Sequence, residues 1–265
     1  MPVLRRRSLI HRTDRTLGCT STISGWHRFV LLILSLRIVI ISDIHSNLEA
    51  FLAVIANLPT YDYLLFLGDL VGYGPQPNEV VEQLQQLQPA IVLGGNHDYA
   101  VSTGDVSGFS SHAEIAVRWT RRQVTPQNQD YLSNLLSSAK IELNNINLAL
   151  FHGSPRDSLS EYIFPGIPAQ SARQLIQRAG APLVLLGHTH IPMLYDFEGE
   201  MLANPGSVGQ PRDGDRRAAF AILTLSEGKF SFDVRRVEYD IDSVARKIIR
   251  EGLPEFSADR LYKGM

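Results

Sequence analysis

The chain has 265 residues, enough for one large domain or two small ones, and its 44% hydrophobic and 20% charged content is that of an ordinary globular protein. A net charge of −2 gives no general drive toward nucleic acid or an anionic membrane, so neither is expected as a stable partner. The single cysteine, Cys19, excludes an intrachain disulfide and any thiolate-rich metal site; it fits a reducing compartment, and a cytoplasmic location is expected.

Residues 1–36 carry six arginines against one acid, Asp14, which leaves the remainder at −7. The run "FVLLILSL" (29–36) imitates a secretory signal, but no small-residue cleavage site follows. Arg37 interrupts it well short of the roughly 20 apolar residues that a membrane span requires. The segment reads as a flexible basic tail or an over-long start of the reading frame, and 37–265 as a single domain.

Five short apolar runs follow without strict alternation: "RIVIIS" (37–42), "YLLFLG" (63–68), "AIVLGG" (90–95), "INLALF" (146–151) and "PLVLLG" (182–187). Such runs suit strands covered on both faces. Helical patterns separate them at 47–58, 77–88 with Pro77 leading, 125–136 with Thr125 as cap, and 168–180 ending on Gly180. The C-terminal third predicts antiparallel strands at 193–197, 200–206, 218–225 and 229–239, then a helix at 240–252 and a short tail. Alternating strands and helices predict an α/β fold.

Each of the five runs ends in chemistry. After the first stand Asp43 and His45 in "DIHSN"; after the second, Asp69 in "GDLVG"; after the third, Asn96 and His97 in "GGNHD". His152 follows the fourth in "HGSP", and His188 and His190 follow the fifth in "GHTH". Ligand sites of open α/β sheets gather at the carboxyl ends of strands, so these side chains are expected to converge. One such histidine is more often a satisfied polar group than a ligand. Five consecutive strand ends doing this by chance is not a credible alternative. Nitrogen and oxygen donors without thiolate favour manganese, with iron, nickel or zinc next, over calcium. The donors are too many for one tetrahedral zinc, and suit two ions about 3.5–4 Å apart with Asp69 as the bridging carboxylate. A water shared by two such ions would lose its proton near neutral pH and serve as the nucleophile.

In order and spacing, "DIHSN … GDLVG … GNHD … HGSP … GHTH" resembles the calcineurin-like metallophosphoesterase superfamily over roughly residues 37–240, and "LVGYGPQPNEVV" and "NPGSVGQPRDGDRRAAF" resemble its compact prokaryotic phosphodiesterase branch. The resemblance implies a four-layer αββα sandwich of two mixed sheets, with the metal site at the carboxyl ends of the central strands. It implies Asp43, His45, Asp69 and His190 around one ion, and Asp69, Asn96, His152 and His188 around the other. It further implies that His97 faces the substrate phosphoryl group, that Asp98 orients the His97 ring, and that Gly94 and Gly95 let the chain turn behind them.

Weaker signals surround this set. Arg212 sits on a loop where its fork of donors could pin a phosphate, and Tyr73 in "GYGP" could wall the pocket. Both equally suit a solvated surface. The Gly/Ser-rich stretch 99–112 reads as a mobile lid or a plain loop, and the arginines of 117–123 as a solvated helix face. The expected activity is hydrolysis of small phosphate esters, phosphodiesters before phosphoproteins or dinucleoside polyphosphates. The alternative of another class is a metal-binding scaffold that has lost catalysis. A DNA nuclease is disfavoured by the acidic body, and nothing in the sequence sets an oligomeric state.

Overall fold

The computed structural model describes residues 35–226 and 228–265; up to residue 34, the expected basic tail lies outside the described residues. In chain order the first half comprises β1 (Leu36–Ile41), α1 (Leu48–Ala56), β2 (Tyr63–Phe66), α2 (Pro77–Leu87), β3 (Ile91–Val92), α3 (Asn96–Thr103), α4 (Ser111–Gln123) and α5 (Pro126–Ser133). The second half comprises β4 (Ser138–Leu143), β5 (Ile146–Phe151), α6 (Ala169–Ala179), β6 (Leu183–Leu186), β7 (Met193–Asp196), β8 (Met201–Asn204), β9 (Ala218–Ser226), β10 (Lys229–Val237), α7 (Ile241–Arg250) and α8 (Glu255–Lys263).

These strands form two five-stranded mixed sheets, in the orders β10-β9-β1-β2-β3 and β4-β5-β6-β8-β7. β1, β2 and β3 are parallel, in a register that sets Ile40 beside Leu65. β5, β6 and β8 are likewise parallel, with Leu150 beside Leu185.

Side chains alternate across a strand, and this sorts the core into layers. Ile38, Ile40, Leu65 and Leu67 meet Leu148, Leu150, Leu183 and Leu185 between the two sheets. The intervening residues Val39, Ile41 and Phe66 face outward and pack on Phe51 and Val54 of α1 and on Val81 and Leu84 of α2. On the far side, Val184, Leu186 and Leu202 lie under Ala172, Leu175 and Ile176 of α6. This is the four-layer αββα sandwich expected from the sequence. Burial of one large core side chain such as Phe66 stabilises it by about 1.5–3 kcal/mol.

Local signals set the helix ends. Asn47 caps α1 by accepting from the Ala50 amide, Thr125 caps α5 with Pro126 in its first turn, and Gly180 ends α6 at φ 64, where a side chain is disfavoured.

The expected antiparallel pairing of the C-terminal strands holds for β7 with β8 and for β9 with β10, but the two pairs lie in different sheets: β8 also runs parallel to β6 in the second, and β9 also pairs antiparallel with β1 in the first. Three other features depart from expectation. β4 was not expected, since "SAKIEL" is only half-buried at an edge and its apolar content is low. β3 is two residues long, continued by a bridge from Leu93 to Leu136, because the chain leaves the sheet at once to begin α3. The C-terminal tail is a helix, α8, which packs Ala258 and Leu261 with Ile248 of α7 and Trp119 of α4.

Candidate metal centre

The site forms where the carboxyl ends of both sheets meet, and hydrogen bonds between loops hold it there. The Asp43 amide donates to the Gly68 carbonyl (2.9 Å) and the His45 amide to the Asp69 carbonyl (3.1 Å), which joins the turns after β1 and β2. The Gly187 amide donates to the His152 carbonyl (3.0 Å), which joins the turns after β5 and β6. Asn204 donates its side-chain amide to the Gly187 carbonyl (2.6 Å) and Ser207 its hydroxyl to the Asp43 carbonyl (2.8 Å). The turns are tight: Asp43, His45, Asp69, His188 and His190 have φ values of 54, 48, 57, 68 and 62. Left-handed backbone costs a non-glycine residue about 1–2 kcal/mol, and five instances mark a site whose side-chain directions are strictly fixed.

Seven residues expected as ligands come together. Asp43, His45, Asp69 and His190 form one buried group, and Asp69, His152 and His188 a second, with donor atoms in each within 4.8 Å of one another. Asn96 joins the second group, its Oδ1 lying 3.3 Å from His152 Nε2. Asp69 belongs to both: its Oδ2 is 3.5 Å from His45 Nε2 and 3.4 Å from His152 Nε2.

Backbone carbonyls set the imidazole tautomers. Nδ1 of His45 donates to Val71 (3.1 Å), Nδ1 of His152 to Leu67 (2.9 Å), and Nδ1 of His190 to Gln210 (2.6 Å). Each turns its Nε2 inward, bare on His45 and His190 and paired with Asp69 on His152. His188 makes the opposite choice, donating Nε2 to the Ser160 carbonyl (3.1 Å) and freeing Nδ1. This pattern of outer hydrogen bonds is the one that orients metal-ligating histidines.

The donors fit divalent cations. His45 Nε2 and His190 Nε2 stand 2.9 Å apart with both Nδ1 protons already committed, so two lone pairs face each other. That spacing matches two neighbouring ligands at about 2.0–2.1 Å from one small ion. Asp43 Oδ1 is buried with no hydrogen-bond partner among the described residues, an arrangement stable only beside a positive charge.

Charge among the side chains of the site follows from burial and proximity. Burial raises the Asp69 carboxyl, but His152 and His97 overcome it and hold the group well below the usual carboxylate range. Burial likewise opposes ionisation of Asp43, which His190 nonetheless draws below that range. His152 is pushed up to about 9, because Asp69 outweighs the cost of burial. Burial dominates for the others, carrying His188 down to about 3 and His97 to about 4 and lowering His45 and His190.

His97, the second residue of α3, is nearly fully buried, and its ring is clamped by His45, Tyr73 and Phe109 at centroid distances of 4.8, 4.5 and 4.8 Å. Its Nδ1 packs against Gly72 without a hydrogen-bond partner. Its backbone amide donates to Asp69 Oδ1 (2.9 Å).

Asp98 does not orient that ring. Its carboxylate accepts from the amides of Leu70 (3.1 Å), Val71 (3.0 Å) and Gly95 (2.9 Å), so it clips the Asp69 turn to the start of α3. Burial, with Asp69 nearby, raises this carboxyl to about 7. Nor do Gly94 and Gly95 serve to turn the chain. Gly95 is extended at φ −102 and ψ −176, and is glycine because a side chain there would overlap the Asp69 carboxylate.

The stretch 99–112, expected as a mobile lid or a plain loop, is helical at both ends and a loop over 104–110. α3 runs to Thr103 and α4 starts at Ser111, and Phe109 in the connecting loop packs edge-on against His97. The solvated arginine face expected at 117–123 holds only in part, since Arg121 donates to the carbonyls of Val101 and Ser102 (2.5 and 2.6 Å).

Tyr73 and Arg212 both reach the site. Arg212 donates its amide to the His190 carbonyl (3.2 Å) and its guanidinium to Gln210 (2.8 Å), and Cζ lies 5.7 Å from the centre of the Tyr73 ring. Three further residues were not anticipated. Tyr162 stacks on His188 at 3.7 Å and continues into Phe164 at 5.6 Å, both rings half-exposed. Arg260 of α8 reaches the Tyr73 hydroxyl, and burial together with Arg212 draws its guanidinium down to about 10. "EYIFPG" after "HGSP" could have suggested the aromatic pair. Arg260 lies some 70 residues beyond "GHTH", in a segment read from the sequence as a short tail.

Comparison with known proteins agrees with this geometry. The family described as the calcineurin-like phosphoesterase superfamily domain matches residues 36–228. An uncharacterized protein of Methanocaldococcus jannaschii is 35% identical, over 86% of this chain and 98% of its own length. A probable metallophosphoesterase of the same organism is 24% identical over 65% of this chain and 68% of its own. Among solved structures, a metallophosphoesterase from Sphaerobacter thermophilus is similar at TM-score 0.73 and 34% identity, covering 87% of this chain and 99% of that one. A hypothetical protein from Pyrococcus horikoshii shares the fold at TM-score 0.78 and 22% identity, over 86% of this chain and 98% of that one. Among the described residues no helix is long and apolar enough to cross a membrane. With a matching family over most of its length and a buried Asp/His cluster suited to divalent metal, the chain belongs to the calcineurin-like phosphoesterase superfamily.

Proposed function

We propose that this protein is a dinuclear metal-dependent phosphoesterase acting in the cytoplasm, with small phosphodiesters as its preferred substrates and manganese as its first-choice ion. The observation that carries this reading is that one buried carboxylate, Asp69, is shared by two separate sets of ligands. Asp43, His45, Asp69 and His190 would hold one cation, and Asp69, Asn96, His152 and His188 the other. When bound, the ions supply charge neutralisation for a phosphoryl group and acidify water to a nucleophile near neutral pH.

The chain's own groups do the rest. His97 is held near 4 by burial, so at neutral pH it is a neutral N–H donor rather than an imidazolium. Its Nε2–H is directed to a phosphoryl or leaving oxygen, where a preorganised donor in a dry site stabilises developing charge. Asp98 fixes the distance between His97 and Asp69 by holding the two turns together. Arg212 adds a fork of donors at the mouth, with Tyr73 as one wall.

The test is metal analysis of manganese-loaded protein beside rates on bis(4-nitrophenyl) phosphate, 4-nitrophenyl phosphate, a phosphoserine peptide and a dinucleoside polyphosphate. Two equivalents of metal, metal-dependent hydrolysis and the best rate on the diester are expected. A single equivalent defeats the dinuclear reading, and bound metal without turnover would make the protein a scaffold.

A further inference from the structure

The rim of the site on the His188 side carries an aromatic pair that the core does not absorb. Tyr162 stacks on His188 with ring centres 3.7 Å apart and planes at 24°, and Phe164 continues the stack at 5.6 Å and 5°. The two residues are 46% and 50% exposed. Isolated exposed apolar side chains are commonplace, but two parallel rings stepping outward from a candidate ligand are not scattered surface. The pair formed by Tyr195 and Phe197 shows the difference. There Arg173 lies 4.2 Å over the Phe197 ring, and the Tyr195 hydroxyl donates to the Ile167 carbonyl (2.9 Å).

The exposed pair is held in place from behind. Ile163, between the two, is buried in the core layer of Leu175, Ile176 and Leu186, and its neighbours turn outward together. The Asp157 carboxylate accepts from the amides of Leu159 (3.0 Å) and Ser160 (3.1 Å), and the Ser160 carbonyl accepts from His188 Nε2 (3.1 Å). The loop that carries the rings is therefore tied to the residue on which they stack. Rings held this way lose little conformational freedom when a flat group covers them. His97 stands at the other end of the site, against His45 of the first ligand set, whereas Tyr162 touches His188 of the second. A phosphoryl group spanning both sets would turn one ester oxygen toward His97 and the other toward Tyr162.

We infer that Tyr162 and Phe164 form a stacking shelf for the ester arm that stays on phosphorus, and so select phosphodiesters whose retained arm is flat and aromatic. This rests on the phosphoesterase reading above and refines its diester preference. In the hydrolysis a water oxygen bonds to phosphorus, and the P–O bond on the His97 side breaks, its oxygen leaving with the electron pair. The P–O bond on the shelf side is kept, and the protons of water pass to the products and solvent. An aromatic arm gains more on this shelf than an aliphatic one, because offset-stacked rings add complementary quadrupoles to the area they bury.

The experiment compares phenyl 4-nitrophenyl phosphate with ethyl 4-nitrophenyl phosphate on manganese-loaded protein. The leaving group is the same in both, so the ratio of kcat/KM, followed across variants, reports the retained arm alone. Phe164→Ala should lower the phenyl-to-ethyl ratio about 3- to 10-fold, the contribution of one aromatic stack, with the change in KM. Phe164→Tyr should keep the ratio, because the ring remains. Leu194→Ala, which removes an exposed apolar side chain on β7, should leave both esters at wild-type rates. A second readout needs no turnover. Calorimetry should find phenylphosphonate bound more tightly than ethylphosphonate by wild type, and the difference reduced by the same factor in Phe164→Ala. Melting temperature and metal content show that each variant is folded and loaded. An unchanged ratio in Phe164→Ala, an equal loss on both esters, or a loss confined to kcat overturns the inference. If metal-loaded wild type hydrolyses neither ester, the phosphoesterase reading falls and the shelf with it; if it hydrolyses both and Phe164→Ala keeps the wild-type ratio, only the shelf falls.

Discussion

Gly95→Ala separates two explanations of the double glycine. The residue is at φ −102 and ψ −176, a backbone that alanine adopts without strain, so a turning role predicts little effect. Space predicts the opposite. A Cβ at Gly95 would stand 2.6 Å from Asp69 Cγ and 2.6 Å from the Asp69 amide, and nearer still to Oδ1, where real Cβ atoms essentially never come under 3.0 Å. The carboxylate must then move by roughly 0.5–1 Å, several times the ±0.2 Å within which metal-ligand distances hold. Since Asp69 serves both ligand sets, both should weaken together. Overpacking costs about 1–3 kcal/mol, which in a domain of this size lowers the melting temperature by roughly 2–12 °C and leaves the protein folded. Metal analysis after manganese loading should find at most one equivalent, and hydrolysis of bis(4-nitrophenyl) phosphate should fall about 100-fold or more, as expected for an ångström-scale misplacement. Gly94→Ala is the companion. Its Cβ meets Leu135 Cβ at 2.8 Å, so it should lose stability yet keep its metal. A Gly95→Ala protein with two bound ions and a rate within threefold of wild type would refute the steric argument.

Two further outcomes follow from the site. His97→Asn should lower kcat about 100- to 1,000-fold, the usual loss on removing one preorganised donor, while metal content stays unchanged; a loss below tenfold, or loss of metal, contradicts a role at the phosphoryl group. In the metal-free protein His152 is raised to about 9 from an ordinary 6.5, so its pairing with Asp69 stabilises fully below pH 6.5 and is lost as pH rises through about 9. Manganese must displace that proton, so loading at pH 7 should release close to one proton from His152, measurable from the buffer dependence of binding heat; a buffer-independent heat would show that His152 is already neutral.

Most of the candidate site was legible in the sequence because its candidate ligands sit directly after strands, where a short apolar run betrays both the strand and its end. Asp43, Asp69, His152 and His188 all follow runs whose pairing partners lie in the same sheet. What escaped notice depends on contacts between segments far apart in the chain. Asp98 looked like a partner for His97 because the two are neighbours in sequence. On α3, however, successive side chains point about 100° apart, and the Asp98 carboxylate meets the Leu70 and Val71 amides instead. β4 was missed because an edge strand exposed on one face needs no continuous apolar run. α8 and Arg260 were missed because nothing near them in sequence carries chemistry; their meaning comes only from packing behind Tyr73.

The metal-free arrangement is itself unfavourable, which bears on how the site and the fold depend on each other. Two carboxylates and four inward-turned imidazoles are almost wholly removed from water, five ligand residues hold left-handed backbone, and two bare nitrogens face each other at 2.9 Å. Without cations, only the Asp69–His152 pair among these groups is favourable. They persist because the two parallel strand sets, packed through Ile40, Leu65, Leu150 and Leu185, fix the starting points of the turns before any side chain is placed. Inter-loop hydrogen bonds such as Asp43 to Gly68 and Gly187 to His152 then leave the turns little freedom to relax. Metal affinity at this site would therefore be set by core packing as much as by ligand identity: the sandwich holds the candidate donors close together, and bound cations would remove the repulsion that this placement creates.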